Sequence, residues 1–245
     1  MIQFLRKIRQ KLLVENKLNK YLIYAIGEIV LVVIGILIAL QINNWNERKK
    51  LKNHERELLT HVLEDIAQDS LTIVNVMDLR DKIMEVHQSV FDYTKNLKDS
   101  SQVGDLDLLR RTFHDKLITK ENNPNLSKEV MNQDLSKQIQ EYYNAINLAE
   151  FVMNNNNTII ENKVRPFLGE KQLLIYGNQL EDLEINQLHL IDRYRFFLEI
   201  RNEQMQQLLF ESGIKLYALR NWGITASKEN DKLKKSINDY LSSND

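Results

Sequence analysis

An all-α protein is predicted by three features of the chain: scarce turn residues, one long apolar run, and apolar positions recurring at helical spacing. Seven glycines and two prolines in 245 residues are too few for the regular reversals of sandwiches, barrels or doubly wound sheets. The predicted order is a basic amphipathic N-terminal segment (1–20) forming an interfacial helix, one transmembrane helix (21–43), and an antiparallel helical bundle of long helices (44–245). With 43% hydrophobic and 27% charged residues the chain has an ordinary folded composition. Cysteine is absent, which removes disulfides, thiol nucleophiles and thiolate metal sites from consideration.

The first stretch, MIQFLRKIRQKLLVE, sets Ile2, Leu5, Ile8 and Leu12 at helical spacing with Arg6, Lys7, Arg9 and Lys11 around the other side. Such a helix suits a surface of anionic lipid. From Tyr21 to Ile42 the only ionisable side chain is Glu28. About 20 apolar residues at ~1.5 Å rise cover the ~30 Å hydrocarbon core. Tyr21 and Tyr24 at one end and Trp45 at the other suit the headgroup level. The run is longer than a cleaved signal peptide's apolar region and has no small-x-small site after it, so an uncleaved anchor is expected. Six Lys and Arg precede it, and five follow it up to Glu57. That asymmetry favours a cytoplasmic N-terminus and a C-terminal domain outside the cytoplasm.

The run KYLIYAIGEIVLVVIGILIALQINNWNE, Lys20 to Glu47, with the basic RKIRQKLL before it, resembles the signature of a family of uncharacterised single-pass membrane proteins of Gram-negative bacteria, a domain of unknown function. The resemblance covers about the first 50 residues. It implies a membrane protein with a helical C-terminal part, in the bacterial inner membrane, and brings no activity, substrate or catalytic residue with it.

Glu28 shares a helical stripe with Gly35 and Ala39, a small-xxx-small pair that lets helices approach closely in lipid. An intramembrane acid is a functional-site hypothesis by default. Three readings stand: helix pairing, contact with a polar group on another membrane protein, and a proton or ion relay. Gln41 is the one further polar residue of the span that could serve a relay.

After Trp45 a stripe through Leu51, Leu58, Val62, Ile66, Ile73, Met77, Met84, Phe91 and Leu97 predicts a long helix, unbroken or broken near Ala67 to Ser70. Gly104 and Asp105 predict a stop and an N-cap, opening a helix through Leu106, Leu109, Phe113 and Leu117. Ser127 is the expected N-cap of a second long helix from Val130 to Met153, with fraying or a kink at Asn154 to Asn157. Pro166 and Gly169 are expected to end it. A polar connector, YGNQLEDLEIN, leads to a third long segment buried through Leu188, Ile191, Leu198, Met205 and Leu208. Trp222 and Gly223 are expected to close that segment before a short last helix.

Residues 1–57 carry 11 Lys and Arg against 5 Asp and Glu, leaving 22 against 29 for the remainder. An acidic domain behind a basic collar argues against a nucleic-acid partner. His54, Glu57, His61, Glu64 and Asp65 share one helical face. His54, Glu57 and His61 are thus weak metal candidates, for which a solvated charged face is the plainer reading. The di-iron carboxylate motif, HExxH, phosphate-binding glycine loops and GxSxG are all missing from the sequence. In DRYRFFLEIR, Asp192 to Arg201, arginines alternate with rings. An anion or nucleic-acid site is one reading and a packed helix flanked by arginine is the other. No cofactor and no catalysis are expected. The expected role is a non-enzymatic interaction or scaffold subunit, partnered by the bilayer and by a second copy or another membrane protein. A helical-bundle sensor binding a small ligand outside the cytoplasm is the alternative.

Overall fold

The computed structural model describes residues 18–175 and 189–243. Residues 1–17 of the interfacial helix expected over 1–20, the connector YGNQLEDLEIN and Leu188 lie outside the described residues. The chain divides into two compact units, residues 1–57 and 58–245. Secondary structure among the described residues is helical, apart from a single antiparallel bridge between Leu174 and Ile191.

The first helix, α1, spans Leu18–Thr94. No proline interrupts it, and Gly27 and Gly35 are its two glycines, each costing about 1 kcal/mol of helix propensity. In the first unit every residue from Ile29 to Ile42 is exposed. In the second unit α1 has no break at Ala67 to Ser70, because Asp69 there is buried and fully bonded rather than free to cap a new helix. The helix stops at Asn96, whose φ of 58° is left-handed. There Leu97 N–H donates to Asp92 O and Asn96 N–H to Tyr93 O, the crossed pair that closes a helix C-terminus.

The helix expected from Asp105 is cut short. Asp105 does cap a turn by accepting from Asp107 N–H, but only a 3-10 helix, Leu106–Arg110, follows. Leu106, Leu109, Phe113 and Leu117 are all buried, yet the backbone of Phe113 pairs with a side chain instead of its own turn. Phe113 N–H donates to Asn157 Oδ1 at 2.9 Å, and Asn157 Nδ2 donates back to Phe113 O at 2.6 Å. Two one-turn helices follow, α2 (Thr119–Asn122) and α3 (Leu126–Glu129).

The second long helix, α4, spans Gln133–Ile159 and is capped by Asn132, which accepts from Leu135 N–H at 3.0 Å. Ser127, the expected cap, sits inside α3. The asparagine run stays helical because Asn157 is held by Phe113 and Asn156 is buried. The irregularity comes just after it, as a π-helical turn, Ile160–Val164. Pro166 then lies in the first turn of α5 (Arg165–Glu170), where no intrahelical N–H is needed. Termination falls instead at Gln172, with φ 56°.

The third segment is two helices, α6 (Arg193–Glu199) and α7 (Glu203–Ser243). Leu198, expected on the buried side, is exposed. Trp222 and Gly223 do not end α7. A Cβ on Gly223 would lie 2.1 Å from Met77 Sδ, so this glycine serves a close crossing of α1 and α7. Trp222 is buried, with Nε1 donating to Ala145 O at 2.9 Å.

Two apolar cores result. One joins Leu59, Val62, Ile66 and Val76 of α1 to Ile139, Tyr142 and Ile146 of α4 and Leu216, Trp222 and Leu233 of α7. The other gathers Val86, Val90, Leu109, Phe167, Phe196 and Leu209. Ile66 meets Asn230 while Arg80 meets Leu216, so α7 is antiparallel to α1. Ala145 meets Trp222 and Glu141 meets Lys232, so α7 is antiparallel to α4 as well. α1 and α4 therefore share a direction, and residues 95–132 make the return.

Candidate functional site

The apolar segment comes first. Its large side chains, from Leu22 and Ile23 through Leu40 and Ile42, are exposed, and α1 is long and apolar enough there to cross a membrane. Glu28 is half-buried, whereas Gly35 and Ala39 are exposed. A Cβ on Gly35 would meet nothing within 4 Å, so no contact among the described residues requires a glycine at that position. Just beyond the apolar run, Lys49 Nζ stands 5.5 Å from the Trp45 ring centroid, a pairing of aromatic belt and cation that suits an interface.

His54, Glu57 and His61 all lie on α1. His61 Nδ1 reaches Glu64 at 4.0 Å, with both side chains exposed. The set whose ligand atoms converge among the described residues is a different one, Asp105, Asp107 and His189, all within 4.8 Å of one another. They line a cavity of about 530 Å³ with Ile175, Ile191 and Arg193. His189 Nδ1 is 3.6 Å from Asp105 Oδ1 and 3.9 Å from Asp107 Oδ2. Burial raises the Asp107 pKa, the Asp105 charge adds to the rise, and the Leu190 N–H at 2.7 Å opposes it. One oxygen of each carboxylate already accepts a backbone N–H. These residues therefore clasp the 105–107 turn to the chain at 189–191. Sequence reading missed this group because His189 is 82 residues from Asp107 and no motif spacing links them.

The arginines of DRYRFFLEIR are spent on loops. Arg193 donates to the carbonyls of Ser100, Val103 and Gly104 and lies 5.2 Å from the Phe197 ring. Arg195 donates to Gln172 O and Arg201 to Asn96 Oδ1. Phe196 and Phe197 are buried, so this stretch is a packed helix whose guanidinium groups fasten the chain ends around it.

A second cavity, about 280 Å³, opens between α1 and α7 at Met84, His87, Phe91, Leu209, Ile214 and Tyr217. His87 is 4% exposed, and burial lowers its pKa to about 4, against the effect of a hydrogen bond to the Leu209 backbone. His87 Nε2 has no hydrogen-bond partner among the described residues. Because the folded pKa lies below the ordinary 6.5, the unfolded chain binds the proton first. Stability is whole above pH 6.5, falls between 6.5 and 4, and levels off below. The full loss is about 3 kcal/mol. Urea midpoints measured across that window should fall for the wild type, with His87→Phe removing that component of the slope.

The class defined by these features is an all-α protein with one segment long and apolar enough to span a bilayer. A family model described as a family of unknown function (DUF6090) matches residues 28–109. The match begins at Glu28 and runs through the whole bundle portion of α1 to the 3-10 turn at Leu109, well past the first 50 residues. No curated protein and no solved structure matches the chain.

Proposed function

We propose that this chain is a membrane-anchored, non-enzymatic interaction or scaffold subunit of a bacterial inner-membrane complex. In this reading the N-terminus is cytoplasmic, the bundle is periplasmic, and assembly runs through the face of Glu28, Gly35 and Ala39. The observation that carries it is the contrast between the two units. The bundle forms two apolar cores of its own, while Ile29 to Ile42 leave a continuous run of side chains uncovered around a glycine where a Cβ would meet nothing within 4 Å among the described residues. Soluble monomers rarely expose a contiguous apolar surface of that extent, whereas lipid and a second helix together would cover it.

Purification in mild detergent followed by native mass spectrometry tests this proposal. A stoichiometric complex, with a second copy or with another membrane protein, is expected; a bare monomer contradicts it. Within that assay Glu28→Gln should keep the complex and Glu28→Ala should weaken it by about 1 kcal/mol, several-fold in association. Loss of the complex with Gln as well would assign the contact to the carboxylate charge, paired with a cationic group on another membrane protein. Protease added to spheroplasts should digest the bundle, and a protected bundle would reverse the topology. The sensor reading draws on the cavity beside His87.

A further inference from the structure

Just past its apolar run, α1 carries its charges unevenly around its circumference. At about 3.6 residues per turn, Arg48, Lys49 and Lys52 lie within roughly 60° of Trp45, and Arg56 falls in the same sector further on. Glu47 lies about 160° from Trp45, Lys50 about 140° and Glu57 about 120°. Trp45, Arg48, Lys49 and Lys52 are all exposed, whereas Glu55, the acid nearest their sector, is buried. Glu47 is held by Asn43, whose Nδ2 donates to it at 3.2 Å. Among the described residues no carboxylate pairs with Arg48, Lys49 or Lys52. Three cations and one indole thus share a face that lacks a counter-charge.

Two of these cations fold back toward the apolar run. Arg48 Nε donates to Asn44 O at 3.3 Å, which leaves its two terminal amino groups for another acceptor. Lys49 Nζ stands 5.5 Å from the Trp45 ring centroid. Helical side chains lean toward the N-terminus, and here that direction leads back to Ile42. Trp45 lies ~4.5 Å beyond Ile42 along the helix, and Arg48, Lys49 and Lys52 lie ~9–15 Å beyond it. A headgroup layer is roughly 5–8 Å thick. The leaning guanidinium and ammonium groups therefore come to the level of lipid phosphate, with the indole just beneath them. An acidic protein or a nucleic acid would have to enter that layer to meet the same face.

The geometry points to a binding face for anionic phospholipid headgroups, made by Trp45, Arg48, Lys49 and Lys52. Lipid phosphates accept from the Arg48 guanidinium and the two lysine ammonium groups, while the acyl chains run on beside the apolar segment. This rests on the membrane span proposed above and adds a lipid preference to it. Binding forms and breaks no covalent bond.

The test uses the full-length Trp222→Phe protein, in which Trp45 is the remaining tryptophan. It is held in nanodiscs containing phosphatidylglycerol and phosphatidylcholine in equal amounts. In parallel samples one lipid or the other carries bromine high in its acyl chains, so that quenching of Trp45 reports which lipid lies beside it. A cation at a membrane surface favours an anionic lipid about fivefold, so the preference for phosphatidylglycerol read from the two quenching curves should be at least that large. Lys49→Gln combined with Lys52→Gln should lower it several-fold, and added salt should lower it as well. Lys50→Gln, the same charge loss on another side of the helix, should leave it close to that of the wild type. Equal quenching by the two brominated lipids, or an unchanged preference in the double variant, overturns the binding face and leaves the span standing. Quenching by neither lipid removes the span, and this face with it.

Discussion

Asp69→Ala is expected to destabilise the bundle by about 3–5 kcal/mol, a large share of the ~5–15 kcal/mol typical of a domain. Asp69 is fully buried, and both carboxylate oxygens are engaged. Oδ1 accepts from Ile118 N–H at 2.6 Å, and Oδ2 accepts from Thr119 N–H at 3.2 Å and from Tyr142 O–H at 3.0 Å. Those backbone groups open α2, a one-turn helix too short to cap itself. Tyr142 continues the chain of bonds by accepting from Asn230 Nδ2, which also donates to Ile66 O. Burial, then the Asp69 charge, pushes the Tyr142 phenol pKa up. Alanine at position 69 leaves three donors without an acceptor. Asparagine, with a single acceptor oxygen, should cost less. Urea denaturation followed by circular dichroism would measure both. Asp78→Ala, at an exposed ion pair with Lys82, should stay within about 0.5 kcal/mol. Because Asp69 and Tyr142 touch, Asp69→Ala combined with Tyr142→Phe should cost less than the sum of the two.

Trp222→Ala should cost a similar 3–5 kcal/mol, from lost burial and the cavity it leaves in the three-helix core. Trp222→Phe keeps most of the apolar contact but strips the Ala145 carbonyl of its side-chain donor, at about 1 kcal/mol. For a domain of this size each kcal/mol moves the melting temperature by roughly 2–4 °C. The alanine variant should therefore melt roughly 10 °C lower. Trp45 is the other tryptophan, so a Trp45→Phe background lets Trp222 fluorescence follow the core alone.

Local signals in the sequence read correctly where helical periodicity stood unopposed. The apolar run, the long first helix and the stripe through Val62, Ile66 and Ile73 needed no knowledge of the rest of the fold. Misreadings arose where a distant residue altered the meaning of a local one. Gly223 resembles a helix stop until Met77 is placed against it, and Asn157 resembles a helix breaker until Phe113 is. Ser127 and Asn132 are both plausible caps by residue type, and packing of the one-turn helices chose the second. His87 belongs to the same class. Nothing in EVHQSV marks the histidine as neutral, because the burial that lowers its pKa comes from the fold and not from its neighbours in sequence. The Asp69 network was likewise invisible, since an acid in mid-helix ordinarily faces water.

The proposed assembly sets one face of α1, within its apolar run, against another protein. Photoreactive diazirine analogues of leucine and isoleucine placed singly along the run test it in native membranes. By helical geometry Leu31, Ile38 and Ile42 lie on the side of Glu28, Gly35 and Ala39, and Val33, Leu37 and Leu40 lie on the other. Protein adducts should concentrate at the first three positions, with lipid adducts at the second three. Adducts to lipid alone at all six, or protein adducts spread evenly around the helix, would contradict an association face.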